Sequence, residues 1–149
     1  MISFIKLLNE QITLSQEEKD TFKDAYRQMG LDEEWAEYDF AELLKWLEEL
    51  PQTIILYRLL YLHEGDKINK EELGDHYSEN KKALLDNHQH KGSIYSEAGD
   101  NAVLLTVEID KDQIDIFNTL YNNIMYPHEE EITLKNKGKG TTLIDIKSI

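Results

Sequence analysis

The sequence predicts an α+β chain, with a helical region over residues 1–50 and a mainly antiparallel β core over residues 51–149. Three observations predict it. Before Pro51, apolar residues recur at three- and four-residue spacing, the period of one helix face. After Pro51, apolar runs of strand length appear at 54–62 and 103–109, and shorter ones at 131–135 and 141–147. Pro51 has no amide hydrogen to continue a helix, so the border falls there.

Phe4, Ile5, Leu7, Leu8 and Ile12 fit one face of a short first helix. Ser15 and Glu18 have capping-box spacing and open a second helix. That helix places Phe22, Ala25, Tyr26 and Met29 on its buried side and should stop at Gly30. A third helix, about 37–50, has Phe40, Leu43, Leu44 and Leu47 as its apolar stripe, flanked by Trp46. The run from Ile54 to Leu62 is nearly continuous, which predicts a buried central strand. Residues 63–69 form a turn around Gly65 and Asp66. Residues 79–86 read as a short helix and the polar stretch 87–100 as a mobile loop beside the site. A strand at 103–109 and a short helix at 114–121 follow. The segments 131–135 and 141–147 read as paired strands around Lys137-Gly138-Lys139-Gly140.

The chain has no cysteine, which excludes disulfides, thiol chemistry and thiolate metal sites and suits a reducing compartment. No apolar run reaches membrane-spanning length, and the first residues lack a signal-peptide pattern, so a cytoplasmic setting is expected, the cytoplasm of a host cell included. With 30 acidic against 16 basic residues the formal net charge is −14. Residues 1–50 carry 13 acidic and 5 basic side chains, and so more than half of that charge. Such a field repels nucleic-acid phosphates. It either keeps the chain soluble or suits a basic protein partner.

Two sets of residues stand out chemically. Arg58 is the one charge inside the first apolar strand. It requires either an internal acid as ion-pair partner or a ligand carboxylate or phosphate, which its planar fork holds bidentately. Glu129-Glu130-Glu131 runs directly into Ile132-Thr133-Leu134. In a strand, Glu129 and Glu131 would share one side. Such a pair is either a solvated junction or two carboxylates able to divide cation stabilisation from proton acceptance. His63, His76, His88, His90 and His128 have no metal-ligand spacing, so no metal is expected.

In order, the chain shows Leu56-Tyr57-Arg58, then Leu73-Gly74-Asp75-His76-Tyr77-Ser78 followed by Ala83, then a strand, then Glu129-x-Glu131-Ile132-Thr133-Leu134, with Gly140-Thr141-Thr142-Leu143-Ile144 after it. This order resembles the mono-ADP-ribosyltransferases of the arginine–serine–glutamate class, bacterial toxins and phage-encoded members among them. The resemblance covers residues 51–149 and implies a split, mainly antiparallel β core that binds NAD as substrate. It implies that Arg58 holds the nicotinamide-side phosphate and ribose. His76, Tyr77 and Ser78 would contact NAD, with Ser78 orienting the catalytic Glu131. Glu131 would stabilise the oxocarbenium-like transition state, and Glu129 would deprotonate a protein acceptor, arginine in this class. The family's Ser-Thr-Ser is His76-Tyr77-Ser78 here, and a register with His76 in the serine's place is the alternative. The nicotinamide-stacking aromatic is not placed by the motifs, Tyr95 being one candidate. The N-terminal helices lie outside the resemblance and are expected to dock on the β core and shape target recognition. The competing reading is a non-catalytic acidic protein that masks a basic surface of a partner.

Overall fold

The computed structural model describes residues 14–95, 101–127 and 130–149, with side chains left out for 89–95. The expected first helix lies outside the described residues. Helix α1 (Gln16–Gln28) starts from the capping box, in which Ser15 and Glu18 each accept the other's backbone N–H. Its Phe22, Ala25 and Tyr26 are buried, while Met29 is 40% exposed and belongs to the surface. A short 3-10 turn (Glu33–Trp35) leads into α2 (Ala36–Glu49), which buries Phe40 and Leu44.

The β core is divided in two. One sheet has three antiparallel strands in the order β1 (Thr53–Leu62), β3 (Asn101–Asp110), β5 (Thr142–Ser148). The other pairs the two-residue strands β2 (His76–Tyr77) and β4 (Ile132–Thr133), also antiparallel. A bridge joins the halves: Tyr57 of β1 and Ser78 exchange both backbone hydrogen bonds, at 2.8 and 2.9 Å. Between the strands run α3 (Lys81–Tyr95) and α4 (Ile116–Met125).

Three expectations are corrected. The central strand is β3, whose Leu105 and Val107 are fully buried, whereas β1 lies at one side of the three-stranded sheet and, apart from Leu56, is partly buried or exposed. The helix expected over 79–86 runs to Tyr95, so 87–95 is helix and not loop; Tyr61 Oη and His88 Nδ1, 2.8 Å apart, tie it to β1. The segments around Lys137-Gly138-Lys139-Gly140 do not pair with each other. β4 joins β2 and β5 joins β3, because Asn136, Lys137, Gly138 and Gly140 all have positive φ and turn the chain from one sheet to the other.

Among the described residues two apolar clusters hold these elements. One lies on the β core, with Leu56, Tyr77, Leu105, Ile109, Ile132 and Leu134 at its centre and Trp46, Leu47 and Leu50 of the helical region against it. The other joins Phe22, Tyr26, Phe40 and Leu44 to Leu120 and Ile124 of α4. Each fully buried large apolar side chain contributes about 1.5–3 kcal/mol. The N-terminal helices are therefore fastened to α4, the helix that leads into β4. Among the described residues no helix is long and apolar enough to cross a membrane.

Candidate active site

The junction of the two half-sheets brings Arg58, His76, Tyr77 and Ser78 together. Arg58 lies one residue beyond the Tyr57–Ser78 bridge, and its Nη1 donates to the carbonyl of His76 at 3.1 Å. Its guanidinium carbon stands 5.7 Å from the Tyr77 ring centroid, within cation–π range. Room for the guanidinium depends on Gly74. A Cβ there would fall 2.5 Å from Nη1 and 2.7 Å from Cζ, and Gly74 has φ +99°. Among the described residues no carboxylate pairs with Arg58, and its buried Nε has no hydrogen-bond partner.

Tyr77 is buried and its hydroxyl donates to the Gly74 carbonyl at 3.0 Å. Burial pushes its phenol up to about 12; the nearby Arg58 opposes this rise and Asp75 adds to it. Gly138 presses on the same loop: a Cβ there would meet the Gly74 carbonyl oxygen at 2.2 Å. Gly74 N–H closes the contact by donating to Lys137 O at 3.0 Å.

Glu131 is brought in by the pairing of β2 with β4, which sets His76 opposite Thr133. Its Oε2 accepts from Thr133 Oγ1 at 2.9 Å and lies 2.9 Å from His76 Nδ1. The other ring nitrogen of His76 faces Asp75 Oδ1 at 3.3 Å. A doubly protonated imidazole donates to both carboxylates, and a neutral one to only one of them. The Glu131 side chain is 12% exposed, against 51% for His76, so the carboxylate is sheltered and the imidazole is its wetter neighbour.

Helix α4 fixes the rest. Asn123 Nδ2 donates to Glu131 O at 2.7 Å, and Asn122 Nδ2 donates to Thr133 Oγ1 at 3.0 Å. Thr119 Oγ1 accepts from Thr133 N at 2.9 Å. Asp75, Thr133, Asn122 and Asn123 were not legible as site residues. The adjacent asparagines late in the helix Ile116–Met125 were the available signal.

Ser78 is 1% exposed, and its hydroxyl accepts from Asn80 N at 3.0 Å, where it shapes the entry to α3. Of His76, Tyr77 and Ser78, His76 is the one whose side chain lies against Glu131. Glu130 has φ +46° and its carboxylate accepts from Asn80 Nδ2 at 2.8 Å. That left-handed residue breaks strand alternation before Ile132, so Glu131 is aimed by Thr133 and Asn123 and not by a strand pleat. Glu129 lies outside the described residues, as does the side chain of Tyr95. Among the described residues no group of three or more histidines and carboxylates is placed to hold a metal.

The arrangement gathers around β2 a guanidinium with no carboxylate partner among the described residues and an oriented carboxylate. It can hold an anionic group at one end and stabilise positive charge at the other. No family model, curated protein or solved structure matches the chain.

Proposed function

We propose that the chain is an NAD-dependent mono-ADP-ribosyltransferase that transfers ADP-ribose to a protein side chain, arginine being the acceptor, and that its β core is of the ADP-ribosyltransferase type. The observation that carries this reading is Arg58. Its guanidinium is partly buried and is paired with no carboxylate among the described residues. An internal ion pair would have satisfied the structural alternative; a bound diphosphate supplies the missing counter-charge.

In this reading Arg58 holds the NAD diphosphate, with the Tyr77 ring beneath its guanidinium. Glu131 faces the nicotinamide ribose, held by Thr133 and His76. The C1′–N bond to nicotinamide breaks with its electron pair leaving on nicotinamide. Glu131 stabilises the positive charge that develops at C1′, a contribution made mainly in the transition state. Glu129 accepts the proton that the acceptor guanidine loses as its nitrogen bonds to C1′. Water in place of the acceptor gives NAD hydrolysis.

Labelled NAD, supplied with and without an arginine-containing protein, tests the proposal. The wild type should release nicotinamide and attach the label to the protein. Arg58→Lys should stay folded and lose about 1.5–3 kcal/mol of NAD affinity, the worth of one charge-assisted contact. A wild type that neither binds nor cleaves NAD overturns the proposal.

A further inference from the structure

A groove that Arg58 does not line runs between the N-terminal helices and α4. It has a volume of about 570 Å³, and Met29, Leu31, Trp35, Ile124 and Pro127 line much of it. Leu31 is 51% and Trp35 54% exposed, and Tyr38 beside them is 54% exposed. A contiguous apolar patch of this kind, rimmed by polar groups, marks an interaction surface.

The rim says what fits. The charged residues lining the groove are Asp32 and Asp39, and no basic side chain lines it among the described residues. Around it Arg27 pairs with Glu33 at 2.8 Å and Lys19 with Glu37 at 3.5 Å. Asp32, Glu34 and Asp39 have no ion-pair partner among the described residues, and Asp39 accepts a hydrogen bond from Tyr26 Oη. Trp35 and Tyr38 meet edge to face at 5.3 Å, with much of both rings in solvent. Exposed aromatic faces beside carboxylates attract guanidinium and ammonium groups. The opposite wall reaches the candidate active site: Asn123 lines the groove and its Nδ2 donates to Glu131 O at 2.7 Å.

We propose that this groove is a docking site for a cationic, amphipathic segment of the acceptor protein, with apolar side chains on Leu31 and Trp35 and basic ones on Trp35, Tyr38 and the Asp32–Glu34–Asp39 rim. The identity of that partner as the acceptor rests on the function proposed above. The occupant is basic because the walls are apolar and the charges that line the groove among the described residues are negative. It docks next to the reacting carboxylate because Asn123 serves both the groove and the Glu131 loop.

The test titrates the full chain with a synthetic amphipathic peptide of leucine and arginine, with its leucine–glutamate counterpart as control. The cationic peptide should bind and the acidic one should not. Trp35→Ala and Leu31→Arg should each weaken binding about tenfold or more. Both positions are exposed, and circular dichroism checks that each variant folds. Glu34→Lys should weaken binding severalfold, while Glu71→Lys, the same charge change at a remote exposed site, should leave it unchanged. Equal affinity in wild type, Trp35→Ala and Leu31→Arg overturns the site. So does a loss with Glu71→Lys as large as with Glu34→Lys, since net charge alone would then explain the binding. A dimer in sedimentation that Trp35→Ala dissolves also overturns it, by filling the groove with a second copy. Nicotinamide release is measured on the same wild-type preparation: no release beside groove-dependent peptide binding overturns the catalytic function and upholds the docking site.

Discussion

His76 Nδ1 lies 2.9 Å from Glu131 Oε2, across the antiparallel pair of β2 and β4. Glu131 has a second partner on the same oxygen, the Thr133 hydroxyl, so His76 acts as a positioning residue on an already oriented carboxylate. Half of the imidazole is in solvent, which limits what the contact is worth. His76→Ala should lower kcat for nicotinamide release about tenfold, near 1.4 kcal/mol, with KM for NAD little changed. His76→Ser should recover part of the loss, because a hydroxyl can again donate to Glu131. The main-chain carbonyl that receives Arg58 stays in both variants. Steady-state kinetics of the two variants decides it; a KM effect without a kcat effect would remove His76 from the carboxylate's support.

Gly74 should be the most sensitive glycine for NAD binding. Gly74→Ala puts a Cβ 2.5 Å from Arg58 Nη1, and Gly65→Ala meets nothing within 4 Å. Both have positive φ, +99° and +86°, so both variants carry backbone strain of order 1–3 kcal/mol. The difference between them isolates displacement of the guanidinium. Gly74→Ala should weaken NAD binding about tenfold beyond any change seen in Gly65→Ala. Calorimetric titration with NAD and urea unfolding, run on both variants, separate the two effects.

Tyr77 predicts alkaline instability. Burial raises its phenol from 10.0 to about 12 in the folded chain, against the opposing field of Arg58. Between those values the unfolded chain gives up a proton that the folded chain keeps. Its contribution is therefore complete below about pH 10 and is lost as the pH rises through about 12. A shift of this size corresponds to on the order of 3 kcal/mol. Tyr26, pushed up by burial and by its hydrogen bond to Asp39, adds in the same direction. Tyr77→Phe should cost about 0.5–1.5 kcal/mol at neutral pH, through the lost bond to Gly74 O, and should flatten the alkaline decline. Urea midpoints from neutral to strongly alkaline pH compare the two; parallel declines would show that Tyr77 is not the titrating group.

Local signals carried much of the fold. The capping box at Ser15 and Glu18 marks the start of α1 because both partners lie within one turn. The apolar run at 103–109 marks β3 because burial on both faces leaves no room for polar alternation. The extent of α3 was hidden because Asn87, His88, Gln89 and His90 give no apolar stripe, and its tie to β1 comes from Tyr61, far away in sequence. Gly138 reads as a hairpin glycine, yet what requires it is the Gly74 carbonyl of a distant loop. Among the candidate site residues, Arg58 stood out as a lone charge in an apolar run and Glu131 as the end of an acidic triplet that enters one. The link through His76 and the asparagine supports from α4 were not legible, since no spacing rule joins residues 76, 123 and 131 before the strands pair.

The two glutamates of the triplet should separate in their effects. Glu131 is sheltered, accepts the Thr133 hydroxyl and faces His76, so its position is set before any substrate arrives. Glu131→Gln keeps an oxygen that can accept both hydrogen bonds and removes the negative charge. NAD binding should change little, because that charge matters most where positive charge develops in the transition state. Both nicotinamide release and transfer should fall by about 2.7–4 kcal/mol in activation free energy, the scale for one preorganised electrostatic partner. Glu129, in the reading drawn from the motif order, serves the acceptor alone. Water needs no such base for NAD hydrolysis, so Glu129→Gln should retain nicotinamide release and lose transfer to protein. Nicotinamide release and label on the acceptor, measured in parallel for both variants, decide the division. If neither substitution alters either quantity, the triplet is a solvated acidic junction and the transferase reading falls with it.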